Sequence, residues 1–103
     1  NAKLILDFYH TWWDPDMSKT LRDHSNKIAL LQLCNLRFEN GQAVGRDTLL
    51  AGGLGRRELH QLLNAPDYSG KMELEIFNHD LKGRDPLSII RQFPDEFQRC
   101  GEM

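Results

Sequence analysis

With 103 residues, 40% of them hydrophobic and 27% charged, the chain has the composition of an ordinary globular domain. A formal net charge of −2 leaves no basic surplus for a phosphate backbone, and no apolar run approaches the roughly 20 residues of a membrane span. Neither nucleic acid nor membrane is therefore expected as a partner. Because the sequence opens on a strand-like segment, no leader peptide is expected, and Cys34 and Cys100 fit no metal motif or disulfide framework, so two reduced thiols in a cytoplasmic protein are expected.

Lys3 to Tyr9 (KLILDFY) is aliphatic and aromatic and short enough for a buried strand. Asp14-Pro15 then supplies a helix cap and a first-turn proline, with Met17 and Leu21 spaced for one helical face. A second strand is expected over Ile28 to Cys34. The glycine-rich stretch from Asn35 to Gly55 shows little periodicity and reads as a long functional loop. Arg56 to Leu63 follows as a helix with Leu59, Leu62 and Leu63 on one face, closed by Pro66 and Gly70. Lys71 to Phe77 (KMELEIF) is the third strand. Asp85-Pro86 repeats the cap-plus-proline start ahead of Leu87, Ile89, Ile90 and Phe93. Pro94 is expected to restart a last helical turn through Phe97, leaving Arg99 to Met103 as a frayed tail. The result is three consecutive βα units, an α/β pattern with a parallel sheet.

Strand parity brings out the chemistry, because alternate side chains face opposite sides. Leu4, Leu6 and Phe8 share one face of the first strand and Ile5 and Asp7 the other. Ala29, Leu31 and Leu33 oppose Ile28, Leu30 and Gln32; Met72, Leu74 and Ile76 oppose Glu73 and Glu75. Each strand thus has an apolar face suited to helices. Each opposite face ends near the C-terminus in an oxygen-bearing side chain: Asp7, Gln32, Glu75. Parallel strands gather such ends on one rim, where α/β proteins bind ligands. Two carboxylates and an amide meeting there suit a divalent cation, Mg²⁺ or Mn²⁺ first, with Zn²⁺ or Co²⁺ as alternatives. The competing reading is that Asp7 and Glu75 are buried acids paired with nearby arginines or lysines.

A resemblance bears on these residues. Asp7-Phe8-Tyr9-His10 resembles the D-x-x-H element of the xylose-isomerase-like, sugar phosphate isomerase/epimerase superfamily, and His10-Thr11-Trp12-Trp13-Asp14-Pro15 is similar to its Y-H-x-W-W-D-P extension. Tyr68-Ser69-Gly70 with Glu73-Leu74-Glu75-Ile76-Phe77 resembles the family's closing strand. Gln32-Leu33-Cys34-Asn35 stands where members show His-x-x-Asp or Gln-x-x-Asp. The likeness spans Lys3 to about Phe93.

The resemblance implies a (β/α)8 barrel, of which residues 1–103 would be a single partial domain, the last three βα units. A complete barrel needs about 250 residues, so the remaining strands, or another copy of the chain, are expected as partners. It implies metal ligation by Asp7, Gln32 and Glu75, with Glu75 also the proton-transferring group. A further ligand glutamate from an earlier strand has no counterpart here. His10 falls where the family contacts substrate oxygens; the alternative is an orienting histidine. Arg46 resembles a family arginine that binds hydroxyl, carboxylate or phosphate groups; the alternative is a solvated loop arginine. Trp12 and Trp13 suit stacking on a sugar, or else packing in the core or an interface. His24, His60 and His79 match no ligand position, and Lys82-Gly83-Arg84 reads as a solvated turn. The expected activity is metal-dependent isomerisation or epimerisation of a small sugar, polyol or keto-acid by proton transfer beside a carbonyl. A dehydratase of the same family, or a non-catalytic barrel fragment, are the rivals.

Overall fold

The computed structural model describes residues 3–63 and 70–101, without the side chains of residues 56, 62 and 63. The expected roles of Leu62, Leu63, Pro66 and Tyr68-Ser69 lie outside the described residues.

Three aliphatic runs form the three expected parallel strands: β1 (Leu4–Asp7), β2 (Ile28–Leu33) and, after a hairpin, β5 (Lys71–Leu74), hydrogen-bonded in the order β1-β2-β5. Helix α2 (Met17–His24) joins the first two, α3 (Arg56–Leu63) precedes β5, and α4 (Pro86–Gly101) follows it. The strands lie side by side in chain order, each followed by a helix, as in an arc of a barrel. The core is a single cluster in which Phe8, Met17, Leu21, Leu31, Leu33, Leu59 and Cys100 meet between the sheet and the helices. Leu31 is fully buried there, whereas Ile5 on the opposite face is 63% exposed. Among the described residues, Ile5, Ala29 and Glu73 leave the second face of the sheet largely exposed.

Several boundaries differ from expectation. The first strand stops at Asp7, not Tyr9, because the Asp7 carboxylate accepts the Tyr9 N–H (3.0 Å) and caps a one-turn helix, α1 (Phe8–Thr11). Phe8 still reaches the core. Strand parity fails at Ala29, where the β1–β2 register slips between Leu4 and Ile5. The extra residue turns Ile28 into the core and Ala29 out to solvent. Asp14-Pro15 forms a turn rather than the helix start: the Asp14 carboxylate accepts the Asp16 N–H (2.9 Å), and α2 begins at Met17. Asp85, by contrast, accepts the Leu87 N–H at 3.0 Å, with Pro86 as the first helical residue of α4, as expected.

Two corrections are larger. Pro94 does not interrupt the last helix, and the tail is not frayed through Gly101: α4 runs continuously from Pro86 to Gly101. Ile89 is buried, and Phe93, Phe97 and Cys100 follow at helical spacing and pack on the core, so apolar burial on both sides of Pro94 offsets its missing hydrogen bond. The supposed long loop after β2 is a β-hairpin, β3 (Asn35–Glu39) and β4 (Gln42–Asp47), turned by Asn40-Gly41 with φ of 52° and 78°. Two successive left-handed residues give the turn whose twist matches paired strands.

Candidate active-site rim

The hairpin matters because it springs from the C-terminal end of β2 and folds over the rim. Asn35 anchors its base: fully buried, its amide donates to the carbonyls of Leu49 (2.8 Å) and Leu54 (3.1 Å), and its oxygen accepts the N–H groups of Leu36 and Leu54. Asp80 anchors the far strand. Its buried carboxylate accepts the Arg46 N–H (3.2 Å) and the Phe77 N–H (3.0 Å) and lies 3.8 Å from the Arg37 guanidinium. Gly45, opposite Arg37, leaves room for that guanidinium: a Cβ there would run into it and lie 2.8 Å from Asp80 Oδ1, so Arg37 would have to shift.

Register sets the rim itself. Asp7 pairs with Gln32 across β1–β2, and Gln32 with Glu73 across β2–β5. Glu75 lies one residue beyond β5, tied by its N–H to the Leu33 carbonyl at 2.8 Å. The Gln32 amide nitrogen donates to both glutamates, at 2.9 Å to Glu73 and 2.8 Å to Glu75. Asp7, Gln32, Glu73 and Glu75 therefore share one strand-end rim.

Asp7 faces Arg46 as well. Arg46 Nη1 and Nη2 donate to Asp7 Oδ1 (3.0 Å) and Oδ2 (2.7 Å), a two-pronged pair. The guanidinium is sandwiched between the rings of Tyr9 and Phe77, 4.7 and 4.6 Å from their centres. At 3% exposure Arg46 is no solvated loop residue, because the hairpin buries it. Burial pushes the Asp7 carboxyl up, but the Arg46 hydrogen bonds, the Tyr9 N–H and the Arg46 charge outweigh that and hold it below the usual carboxylate range. Burial likewise works against the Arg46 charge, and Asp7, with Glu75 farther off, more than restores it. The Cys34 thiol, 4.0 Å from Arg46, is pushed up to about 12 by burial and stays protonated and inert.

The remaining expected site residues divide. His10 is at the rim, 69% exposed at its side chain, with Nε2 3.8 Å from Asp7 Oδ2. Trp13 is 66% exposed. Trp12 instead packs on the core, edge-to-face with Phe38 at 5.6 Å. Arg84 is not part of a solvated turn: it donates to the carbonyls of Leu81 and Asp80 and to the Asp47 carboxylate. A hollow of about 400 Å³ lined by Phe8, Trp12, Met17, Leu54 and Glu58 contains none of the rim carboxylates.

Among the described residues no three His, Cys, Asp or Glu side chains are grouped to hold a metal ion. The rim's donor set nevertheless fits a hard divalent cation in kind, because two carboxylates drawn onto one amide beside a third are all oxygen-bearing groups. Two features stand against it: Asp7 is turned to Arg46, and Gln32 gives its amide N–H to Glu73 and Glu75, so the amide would have to turn over to offer its oxygen to a cation.

Parallel strands in chain order, helices packed on one face and polar groups gathered at the strand C-termini define a segment of a β/α barrel. Residues 1–99 match the xylose isomerase-like TIM barrel family, and the chain belongs to it. The crystal structure of protein SMc04130 from Sinorhizobium meliloti 1021 is similar, with a TM-score of 0.70 and 21% identity, a likeness of fold. The match covers 98% of this chain but 38% of that one. No curated protein matches the chain. Among the described residues, no helix is long and apolar enough to cross a membrane.

Proposed function

We propose that this chain supplies the last three βα units of a divalent-metal-dependent isomerase or epimerase acting on a small sugar, polyol or keto-acid. The observation carrying this reading is the convergence of Asp7, Gln32 and Glu75 on one rim, with Gln32 bonded to Glu75 at 2.8 Å. Asp7, Gln32 and Glu75 would hold the cation, with Mn²⁺ or Mg²⁺ the best match to oxygen donors and Zn²⁺ or Co²⁺ the alternatives. Such a cation polarises a substrate carbonyl and makes the neighbouring C–H more acidic. Glu75 takes that proton and returns it. His10, beside Asp7 and open to solvent, holds substrate oxygens, and the exposed Trp13 indole offers a face for a sugar's C–H groups. Arg46 is pinned to Asp7 and stands ready for a substrate oxyanion only when it leaves.

Solvent-deuterium exchange tests this. The chain alone, without the earlier ligand glutamate, is expected to be inactive; once the full barrel is restored, incubation with a panel of ketoses and keto-acids should label the carbon beside the carbonyl, and a chelator should abolish the labelling. Exchange that ignores the chelator rules out the metal-dependent reading. Loss of water from the substrate without exchange favours a dehydratase, the reading that Gln32 in place of a histidine supports.

The largely exposed sheet face and the exposed Leu87 and Ile90 of α4 are covered, on this reading, by the remaining barrel strands or by a second copy. The isolated polypeptide should therefore associate in a concentration-dependent way in sedimentation velocity. A folded monomer across a wide concentration range would contradict it.

A further inference from the structure

The Arg46–Asp7 pair has a consequence for how the rim takes up a cation. A carboxylate offers about four lone-pair positions. Both positions on Asp7 Oδ1 are used, by Arg46 Nη1 and the Tyr9 N–H, each at 3.0 Å. On Oδ2, Arg46 Nη2 takes one at 2.7 Å, and the His10 ring lies 3.8 Å away. The guanidinium is held by more than Asp7, with the Tyr9 and Phe77 rings packed against it, and the Arg46 main chain is tied separately by its N–H to Asp80. A divalent ion at Asp7 would stand within a few ångströms of this fixed positive charge while competing for the same oxygens. At such distances like charges repel, and water screens a partly buried pair incompletely.

We infer that Arg46 is a built-in counter-ion for Asp7 that competes with a divalent cation, so that loading the rim requires the guanidinium to release the carboxylate. The inference rests on the metal reading above. Arg46 is here a positioning residue: it keeps Asp7 ionised and aimed at the rim in the unloaded protein, and it sets the metal affinity. The backbone tie to Asp80 leaves the hairpin in place, so release is a motion of the Arg46 side chain alone.

Mn²⁺ titration of the full chain, followed by the electron paramagnetic resonance signal of free Mn²⁺, tests this with Arg46→Met against the unmodified protein. Met retains much of the apolar stem but neither competes nor repels. The variant should bind Mn²⁺ tighter by about tenfold or more, the size of an ordinary coupling between two competing ligands. Without metal it should melt below the parent, and Mn²⁺ should return part of that loss. A merely structural role for Arg46 would weaken metal binding along with the fold. If Arg46→Met does not fold, Arg46→Gln, which keeps a hydrogen-bonding end but loses the charge, serves for the same comparison and should also bind more tightly than the parent. Equal or weaker affinity in a folded variant overturns the competition while leaving the metal site standing. Absence of Mn²⁺ binding in both proteins overturns the competition and the metal reading together.

Discussion

In the restored full barrel, Glu75→Gln is expected to lower deuterium exchange by at least about 10²-fold and as much as about 10⁴-fold, the usual contribution of a positioned acid–base group. The substitution keeps shape and an oxygen donor while removing the ability to take a proton at neutral pH. Its placement should survive, because the main chain holds this residue through the N–H bond to Leu33, and Gln32 can still donate to an amide oxygen. Metal binding should fall only partly. Glu73 is the natural control: it shares the same face and also accepts from Gln32, at 2.9 Å, but lies farther back along the strand. Glu73→Gln should leave most of the exchange intact. If the two substitutions cost the same, or if exchange persists in Glu75→Gln, the proton-transfer role falls while the barrel assignment stands.

What could be read from the sequence follows from which forces act locally. The three strands were legible because KLILD, IALLQL and KMEL are short aliphatic runs between breakers, and the outer helices because Met17/Leu21 and Ile89/Phe93/Phe97 recur at helical spacing. Parity placed Asp7, Gln32 and Glu75 on one rim, since a period of two needs no knowledge of the rest of the fold. It broke at the start of β2, where a register slip with no sequence marker turns Ile28 inward and Ala29 outward. The hairpin carried a local signal in Asn40-Gly41 that the surrounding glycines obscured. Its consequences were not local. Arg46 meets Asp7 across 39 residues, and Asp80 meets Arg46 across 34, so neither the burial of Arg46 nor the anchoring role of Asp80 is written in any short window. Pro94 misled for the same reason: a proline's local cost is visible in sequence, and the packing that outweighs it is not.

Asp7→Asn should destabilise the protein by about 2 kcal/mol at neutral pH, less than the cost of breaking a fully buried ion pair because Asp7 itself is partly exposed. An asparagine oxygen can still accept the Tyr9 N–H and so keep the turn into α1, but the second position becomes an amide that faces Arg46 Nη2 donor to donor. The guanidinium is then left buried and unneutralised, with only the Tyr9 and Phe77 rings for compensation. The pH dependence identifies the cause. Because folding lowers the Asp7 pKa, its contribution is complete above the unfolded carboxyl value of about 3.9 and fades as pH falls through the depressed folded value. Arg46 stays charged throughout. Urea unfolding of both proteins, stepped from pH 7 down to pH 2.5, should therefore show a constant gap to about pH 4 and a closing one below it. Comparing the two proteins at each pH cancels the other carboxylates they share. A gap that stays the same at every pH would mean that Asp7 contributes by its shape and hydrogen bonds rather than by its charge. The competition inferred for Arg46 would then lose its electrostatic basis.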